Sequence, residues 1–329
     1  MARKRVFSGI QPTGVPHIGN YFGALRNYVA LQDEYDAIYC VVDYHAMTIN
    51  YDTTKMIERR HEVARALLAC GLDPNRCSLF IQSDVPAHTE LTWILSIVTG
   101  MGRLQNMTQF KDKSAQNEEN INAGLFTYPI LMAADILIYK GEKVPVGEDQ
   151  LQHLELAREI ARRFNARFGE GTFPEPEPIL SQAPRIMGLD GPVKMSKSLG
   201  NTIEIFDSAE TVWEKLRPAY TDPARKRLKD PGNPDICNIF TLHKQVSPPE
   251  LVEEINIACR KAEIGCIECK KRLNEHLNAT LDPIRERGKE LAQHPDMVTD
   301  ALEAGKKRCR ELAAETMHEV RVKTGLDPA

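Results

Sequence analysis

The N-terminal segment constrains the fold of this chain more than any other stretch. Residues 5–8 read as a short buried strand, and residues 9–14 form a loop punctuated by glycine and proline. A helix is predicted to open within residues 15–24. This order of strand, glycine loop and helix N-terminus places free backbone N–H groups where they can receive a phosphate. The segment is neither a GxGxxG dinucleotide fingerprint nor a Walker A loop, because those glycine and lysine spacings are missing.

Strands and helices alternate along the first part of the chain. Residues 37–42 and 77–82 are apolar runs of strand length, and helices are predicted over 53–70 and 88–99. Continuous apolar character indicates parallel strands that are covered on both faces. We therefore predict an α/β fold with a doubly wound parallel sheet, whose ligand lies at the carboxyl ends of the strands.

Two short polar motifs lie about 175 residues apart, at 17–20 and 194–198. In the first, His17 can donate to a phosphate oxygen, Gly19 lets a purine ring approach the backbone, and Asn20 supplies an amide donor. The second, Lys-Met-Ser-Lys-Ser, combines two compact ammonium charges with two hydroxyls, which suits a loop that grips phosphate. Each motif alone is also compatible with an ordinary helix start or a solvated surface loop.

The two motifs resemble the HIGH signature, in its HxGN form, and the KMSKS signature of class I aminoacyl-tRNA synthetases. Longer strings resemble the bacterial tryptophanyl-tRNA synthetase family and cover most of residues 6–201: SGIQPTG, PHIGNYFGA, MTQFKDKSA, TYPILMAADILIY, VPVGEDQLQHLELAREIARRFN and PRIMGLDGPVKMSKS. DPGNPDICNIF extends the resemblance over 230–240. Tyrosyl enzymes share the two signatures without the pairing of AADILIY and VGEDQ.

The resemblance implies a Rossmann-like catalytic domain and a tryptophan–tRNA ligase. Such an enzyme activates L-tryptophan with ATP, releases pyrophosphate, and transfers the tryptophanyl group to the terminal adenosine of tRNA(Trp). ATP and Mg2+ are the implied cofactors, and a homodimer is the implied assembly. A tyrosyl-tRNA synthetase is one alternative. A non-catalytic tRNA-binding or redox-sensing paralogue is another, although such a module would not need both signatures.

The same resemblance assigns site residues one by one. A tryptophan pocket is implied for Phe7, His45, Tyr128, Met132, Asp135, Val144, Val146 and Gln150. An ATP site is implied for Gln11, His17, Gly19, Asn20, Gly147, Asp149, Ile186, Lys194, Met195, Ser196 and Lys197. Catalytic roles, through stabilisation of charge on the triphosphate, are implied for His17, Asn20, Lys113, Lys194 and Lys197. From the residues alone, Lys113 fits a surface charge equally well.

Asp135 is an acid inside an apolar run, residues 126–139, that is predicted to be a buried helix. Pro129 is expected in the first turn of that helix. Tyr128, Met132 and Asp135 share one helical face. A buried carboxylate needs donors, and a neighbouring loop or an arginine could supply them. The resemblance implies instead that Asp135 accepts from the indole N–H and that Tyr128 and Gln150 hold the α-amine.

Four of the eight cysteines, at 237, 259, 266 and 269, have the spacing C-x21-C-x6-C-x2-C. Four thiolates without an interleaved histidine suit a cubane 4Fe–4S cluster, which some tryptophanyl enzymes carry on a similar pattern. Zinc is the alternative metal, although only one cysteine pair is close in sequence. Free thiols remain a third reading. The predicted metal ligands are Cys237, Cys259, Cys266 and Cys269, whereas Cys40, Cys70, Cys77 and Cys309 read as small buried apolar residues.

The C-terminal part is predicted to be all-helical from about Asp207 onwards. We therefore expect a catalytic domain over 1–200 and, by the resemblance, a helical anticodon-binding domain over 201–329. A net charge of −4 excludes a non-specific nucleic-acid coat, so contacts with RNA should be local. No apolar run approaches the ~20 residues of a membrane span, and the N-terminus lacks an apolar export segment. A cytoplasmic location is therefore expected.

Overall fold

A five-stranded parallel sheet lies at the centre of the computed structural model, which describes residues 3–108, 122–180 and 186–328. The strands are β1 (Arg5–Ile10), β2 (Asp36–Val41), β3 (Cys77–Ile81), β4 (Lys143–Val146) and β5 (Glu177–Leu180). Their order across the sheet is β3-β2-β1-β4-β5, and every neighbouring pair is parallel. The chain therefore starts in the middle of the sheet, builds one side as far as β3, and then crosses over to β4.

Helices connect and cover these strands. In the N-terminal part they are α1 (Ile18–Asn20), α2 (Arg26–Glu34), α3 (Asp43–Ala46), α4 (Met56–Ala69), α5 (Ala87–Ser96), α6 (Met101–Gln105), α7 (Ala123–Leu137) and α8 (Leu151–Phe168). The C-terminal part contains α9 (Ala209–Leu216), α10 (Asn238–Val246), α11 (Pro249–Arg260), α12 (Cys266–Gln293) and α13 (Pro295–Thr324). No helix in the described part of the chain is both long enough and apolar enough to cross a membrane.

Neighbouring strand residues point into different cores, which is why the strands read as continuous apolar runs. Val6 and Leu79 belong to one buried cluster, together with residues of α2, α4 and α12. Phe7 and Phe80, the next residue in each strand, belong to a second cluster with residues of α5, α7 and α8. Both faces of the sheet are thus covered, and the predicted doubly wound α/β fold is confirmed.

Helix α7 differs from its predicted form. It begins at Ala123, where the Asn122 side chain accepts from the N–H of Leu125, and Pro129 lies inside it. The expectation that Pro129 would occupy the first turn was therefore wrong. Proline costs an interior hydrogen bond, but this helix is buried among apolar residues of α5 and α8, and that packing outweighs the loss.

The last described helix, α13, returns to the central sheet. Arg308 of α13 donates to the Ser78 hydroxyl at 2.9 Å and to the Asp36 carboxylate at 2.6 Å. Gly305 lies so close to β3 that a Cβ atom there would be 2.0 Å from the carbonyl oxygen of Leu79. The all-helical C-terminal region agrees with the prediction. The proposed boundary at residue 200 remains a prediction, since α13 packs on a strand of the first part.

Candidate active site

A cleft of about 1650 Å³ opens at the carboxyl ends of the strands. Its walls come from residues that follow β1, β2 and β4 and from the 194–198 loop. The predicted site residues that line it are Phe7, Gln11, His17, Gly19, Asn20, His45, Tyr128, Met132, Asp135, Val146, Gly147, Asp149, Gln150, Ile186, Lys194, Met195, Ser196 and Lys197. Val144 packs in the core behind the wall instead. Lys113 lies outside the described residues.

His17 begins α1 and is held by a reciprocal pair of hydrogen bonds. Its Nδ1 accepts from the backbone N–H of Asn20 at 3.3 Å, and the Asn20 side chain accepts from the backbone N–H of His17 at 3.1 Å. Burial, followed by the positive charges of Lys197 and Lys194, lowers the pKa of His17 to about 4. The ring is therefore neutral at pH 7, with its proton on Nε2, since Nδ1 acts as an acceptor.

The second motif packs against the first motif and against the loop that precedes it. The Lys197 ammonium donates to the carbonyl oxygen of Thr13 at 2.8 Å, and burial lowers the pKa of Lys197. Met195 is buried in the same core cluster as Ile18. A Cβ atom at Gly19 would lie 3.6 Å from Met195 and 2.9 Å from the His17 ring, so a side chain there would crowd the space between the motifs. Two lysines and a neutral histidine thus converge on one wall of the cleft.

Asp135 lies inside a buried network on α7, which packs in the other core cluster from Ile18 and Met195 and so lines the other side of the cleft. Its Oδ2 accepts from His45 Nε2 at 2.7 Å, and its Oδ1 accepts from Gln82 Nε2 at 2.7 Å and from His88 Nδ1 at 2.6 Å. His88 Nε2 lies 2.7 Å from the hydroxyl oxygen of Tyr139. Burial opposes ionisation, but the charges and hydrogen bonds of His45 and His88 outweigh it, so the pKa of Asp135 falls below its ordinary value.

Sequence reasoning missed Gln82 and His88. Gln82 directly follows β3, and His88 is the second residue of α5, so both lie near the carboxyl end of a parallel strand. Polar residues at that edge of a sheet are a signal that could have identified them. His153 was also missed; it is buried on α8, and its Nε2 lies 2.8 Å from the hydroxyl oxygen of Tyr128.

The cleft floor between these walls is mixed in character. Tyr128, Met132 and Asp135 lie on one face of α7, as their spacing predicted, and all three line the cleft. Burial raises the pKa of Tyr128 to about 12, so its hydroxyl stays protonated. The turn after β4 forms the rim, where the Gln150 amide donates to the Asp149 carboxylate at 3.2 Å. The site therefore combines a cationic wall, a floor with both apolar and polar side chains, and one buried carboxylate.

The four C-terminal cysteines lie at helix ends. Cys237 caps α10, Cys259 lies in the last turn of α11, and Cys266 and Cys269 lie in the first turn of α12. The Arg225 guanidinium lies 3.7 Å from the sulfur of Cys259 and 4.0 Å from that of Cys266. Across the ranges that the structure describes, no group of three or more histidine, cysteine, aspartate or glutamate side chains is placed to hold a metal ion. The predicted 4Fe–4S cluster, or zinc in its place, is thus unsupported by this arrangement.

The other four cysteines have the predicted character. Cys40, Cys77 and Cys309 are buried and Cys70 is partly buried; all are free thiols. Burial raises the pKa of Cys70, Cys77 and Cys309 to about 12. They act as small apolar groups in the core.

Comparisons with known proteins point to one family. The family model described as "tRNA synthetases class I (W and Y)" matches residues 2–282. The tryptophan–tRNA ligase of Deinococcus radiodurans is 54% identical over 98% of both chains, and that of Thermotoga maritima is 44% identical over 96% of this chain and 98% of its own. The structure of Campylobacter jejuni tryptophanyl-tRNA synthetase, complexed with ADP and tryptophan, superposes with a TM-score of 0.87 at 39% identity. It covers 98% of this chain and 99% of its own.

The match extends over nearly the whole length of each relative, including the helical C-terminal part. The two signature motifs of the class line one cleft, at the edge of the sheet where the fold binds ligands. The chain is an enzyme and belongs to the class I aminoacyl-tRNA synthetases, among the tryptophan–tRNA ligases.

Proposed function

We propose that this enzyme binds ATP and L-tryptophan in the described cleft and charges tRNA(Trp) in two steps. In the first, a carboxylate oxygen of tryptophan attacks the α-phosphorus of ATP, and the bond to the bridging oxygen of pyrophosphate breaks. In the second, the 2′-hydroxyl of the terminal adenosine attacks the carbonyl carbon, and AMP leaves. The observation that carries the proposal is the meeting of both signature motifs and Asp135 around one cleft.

The cationic wall is assigned to the triphosphate. Neutral His17 donates to a phosphate oxygen through Nε2–H, and Asn20 donates through its side-chain amide. Lys194 and Lys197 neutralise the negative charge that develops on pyrophosphate. The reaction is then accelerated by positioning and charge, without a protein nucleophile. Lys113 is proposed to join this group, on the resemblance alone. The remaining ATP contacts are proposed for Gln11, Gly19, Gly147, Asp149, Ile186, Met195 and Ser196.

Mg2+ is proposed to enter with ATP. Mg2+ prefers phosphate oxygens and water to an all-protein cage. This fits the cleft, because no carboxylate group among the described residues is arranged as a metal site. When bound, Mg2+ supplies additional charge neutralisation at the phosphates.

Asp135 is assigned to the indole nitrogen of tryptophan. A carboxylate offers about four lone-pair positions, and three side chains among the described residues use three of them. Oδ1 carries two donors and Oδ2 carries one, so the fourth position belongs to Oδ2 and is available to the indole N–H. Phe7, Met132 and Val146 are proposed to contact the ring, with Val144 behind them, while Tyr128 and Gln150 hold the α-amine.

The direct test is amino-acid-dependent exchange of pyrophosphate into ATP. Exchange with tryptophan and none with tyrosine is the expected result. Exchange with tyrosine would establish the tyrosyl alternative. No exchange with either amino acid, in a preparation that unfolds cooperatively, would favour a non-catalytic tRNA-binding protein.

A Lys197→Ala variant tests the assignment of the cationic wall. Adenylate formation in a single turnover should slow by about 100-fold or more, because a preorganised charge at the developing anion is lost. Tryptophan affinity should stay nearly unchanged, since Lys197 lies on the other wall. Lys307→Ala, which removes an exposed lysine of α13, is the matched control. An unchanged single-turnover rate in Lys197→Ala would remove the residue from the proposal.

A second copy of the chain is proposed as a partner. Trp93, Ile97 and Met101 lie four residues apart along α5 and the start of α6, with exposed fractions of 74%, 50% and 62%. Large exposed apolar side chains on one short stretch of chain are typical of protein interfaces, in which tryptophan is among the strongest contributors. The proposed reaction takes place in the cytoplasm, where the enzyme meets tRNA(Trp) through its helical C-terminal part.

We also propose that the four cysteines bind a metal, either a 4Fe–4S cluster or, as the alternative, zinc. The four thiols lie at the ends of three neighbouring helices, and the Arg225 guanidinium would complement the negative charge of metal-bound thiolates. Anaerobic purification followed by iron, sulfide and zinc analysis tests it. About four irons per chain would establish the 4Fe–4S cluster, one zinc would establish the alternative, and neither would leave free thiols.

A further inference from the structure

The turn that carries the second motif is tied to the C-terminal helices by a buried amide. We call residues 187–194 the signature turn. Asn238, the first residue of α10, is buried, and its Nδ2 donates to the carbonyl oxygens of Gly188 at 2.8 Å and Gly191 at 2.7 Å. The turn itself is closed by the N–H of Gly188, which donates to the carbonyl oxygen of Val193 at 2.7 Å. One side chain thus holds both arms of the turn.

The choice of asparagine follows from this geometry. A primary amide has two N–H groups on one nitrogen, and each carbonyl takes one of them. A leucine would match the shape of asparagine without any donor, and an alanine would remove both the shape and the donors. Either change would leave two carbonyls facing a site with no hydrogen-bond donor.

A second set of hydrogen bonds connects α12 to the same turn through residues 217–220. The buried Lys270 donates to the carbonyl oxygens of Arg217 at 2.9 Å and Ala219 at 2.6 Å. The N–H of Tyr220, the next residue, donates to the carbonyl oxygen of Leu189 inside the signature turn at 2.6 Å. The segment 217–220 therefore links α12 to the turn through backbone contacts.

Both sets of hydrogen bonds start beside a cysteine of the C-terminal cluster. Asn238 follows Cys237, and Lys270 follows Cys269. Cys237 and Cys269 also pack against one small apolar cluster that includes Phe240. The end of α10 that presents Cys237 therefore also carries the amide that holds the signature turn.

We propose that Asn238 is a positioning residue: it holds the signature turn, and thereby the 194–198 loop that follows it, in the geometry that the reaction needs. The bond from Tyr220 to Leu189, in a segment that Lys270 holds, supports the same turn. The inference rests on the proposed role of Lys194 and Lys197 toward ATP. Asn238 is not among the residues that line the cleft, so we expect it to act on the reaction through the backbone that carries those lysines.

The experiment compares Asn238→Ala and the shape-matched Asn238→Leu with wild type. Hydrogen–deuterium exchange should speed up in peptides that contain the N–H groups of Gly188 and Met195. The first donates to Val193 within the turn, and the second donates to Ile186, the residue just before it. The kcat/KM for ATP should fall by about 10- to 100-fold, because small misplacements of charged groups are costly, while KM for tryptophan changes less than about twofold. Lys244→Ala, at an exposed position of α10, should match wild type in both measurements.

The Asn238 variants can each overturn the proposed role of this residue. Unchanged exchange and unchanged kinetics in Asn238→Leu would overturn the proposal, because they would show that shape alone is sufficient. If Asn238→Ala does not fold, Asn238→Ser keeps one donor in a shorter side chain and should give an intermediate result; wild-type values there would also overturn it. Failure of the proposed function looks different, since wild type itself would then show no tryptophan-dependent pyrophosphate exchange.

Discussion

Asp135 stays ionised in an apolar pocket because its donors are already in place. His45, Gln82 and His88 come from three separate segments and meet at this one carboxylate. An unpaired carboxylate at this depth would take up a proton and lose its value as an acceptor. Under the proposed assignment, the network keeps an acceptor ready for a ligand N–H. The affinity for that ligand should then depend also on Gln82 and His88, which do not line the cleft.

Replacement of Asp135 by alanine should weaken tryptophan binding by about 10- to 100-fold, because a buried N–H without an acceptor costs about 1–3 kcal/mol. Titration calorimetry measures the change directly. The affinity for ATP serves as the control for a correctly folded cleft, since ATP is assigned to the opposite wall. Equal tryptophan affinity in the variant and in wild type would rule out the indole contact.

Burial of His17 in the first motif should lower the free energy of unfolding at acid pH. The pKa of His17 is about 4 in the folded protein and ordinarily about 6.5, and that of His243 is also about 4, in both cases chiefly through burial. Between pH 6.5 and 4 the unfolded state therefore binds more protons than the native state. The free energy of unfolding should fall as the pH is lowered through that window, and it should be independent of these groups above pH 7.

His17→Gln should make this pH dependence shallower by up to the contribution of one proton. Urea midpoints at pH 7 and pH 5 give the comparison, and the exposed His61→Gln is the control. The same slope in His17→Gln and wild type would mean that His17 is already protonated in the folded protein at pH 5.

The packing of α13 on β3 depends on the absence of one side chain. Gly305 faces the backbone of Leu79, and the nearby Arg308 is fixed by Ser78 and Asp36. A helix in contact with strand backbone needs a residue without a side chain at the crossing point. The position at which α13 packs on the sheet is therefore fixed, although an amphipathic pattern alone predicts only that one of its faces is buried.

Gly305→Ala should destabilise the protein by about 1–3 kcal/mol, because the new methyl group has no space and the helix must move away from β3. Urea denaturation measures the loss. Gly102→Ala is a matched control, since a Cβ there meets no atom within 4 Å and alanine favours the helix. Equal midpoints for Gly305→Ala and wild type would show that α13 can shift at no cost.

At the scale of the whole molecule, the alternation of apolar runs was enough to predict the parallel sheet, because each run is buried on both faces. The two signature motifs predicted the cleft, since the first follows β1 and the second lines the same cleft. The partners of Asp135 were not predictable in this way, because Gln82 and His88 lie about 50 residues from it and no local pattern links them. The packing of α13 on β3 was missed for the same reason. The metal site that the cysteine spacing predicted is unsupported by the described residues and stays a proposal.

Assembly is the remaining question at this scale. Trp93→Glu should shift the protein toward monomers, with a dimer Kd raised by about 100-fold or more, if this tryptophan is a central contact. Sedimentation equilibrium over a range of concentrations measures it, and Ile57→Glu, at an exposed apolar position of α4, is the control. A wild-type protein that is monomeric at all concentrations would refute the dimer, whereas dimeric Trp93→Glu would move the interface elsewhere.

The packing of α13 on β3 has a consequence for folding during biosynthesis. β3 is an edge strand of the sheet, and the helix that packs along it begins more than 200 residues later, at Pro295. At a synthesis rate of about 5–20 residues per second, the ribosome leaves this edge without α13 for roughly 10–40 s. Unpaired strand edges are sites of aggregation, so nascent chains of this enzyme should depend on chaperones until the last helix emerges.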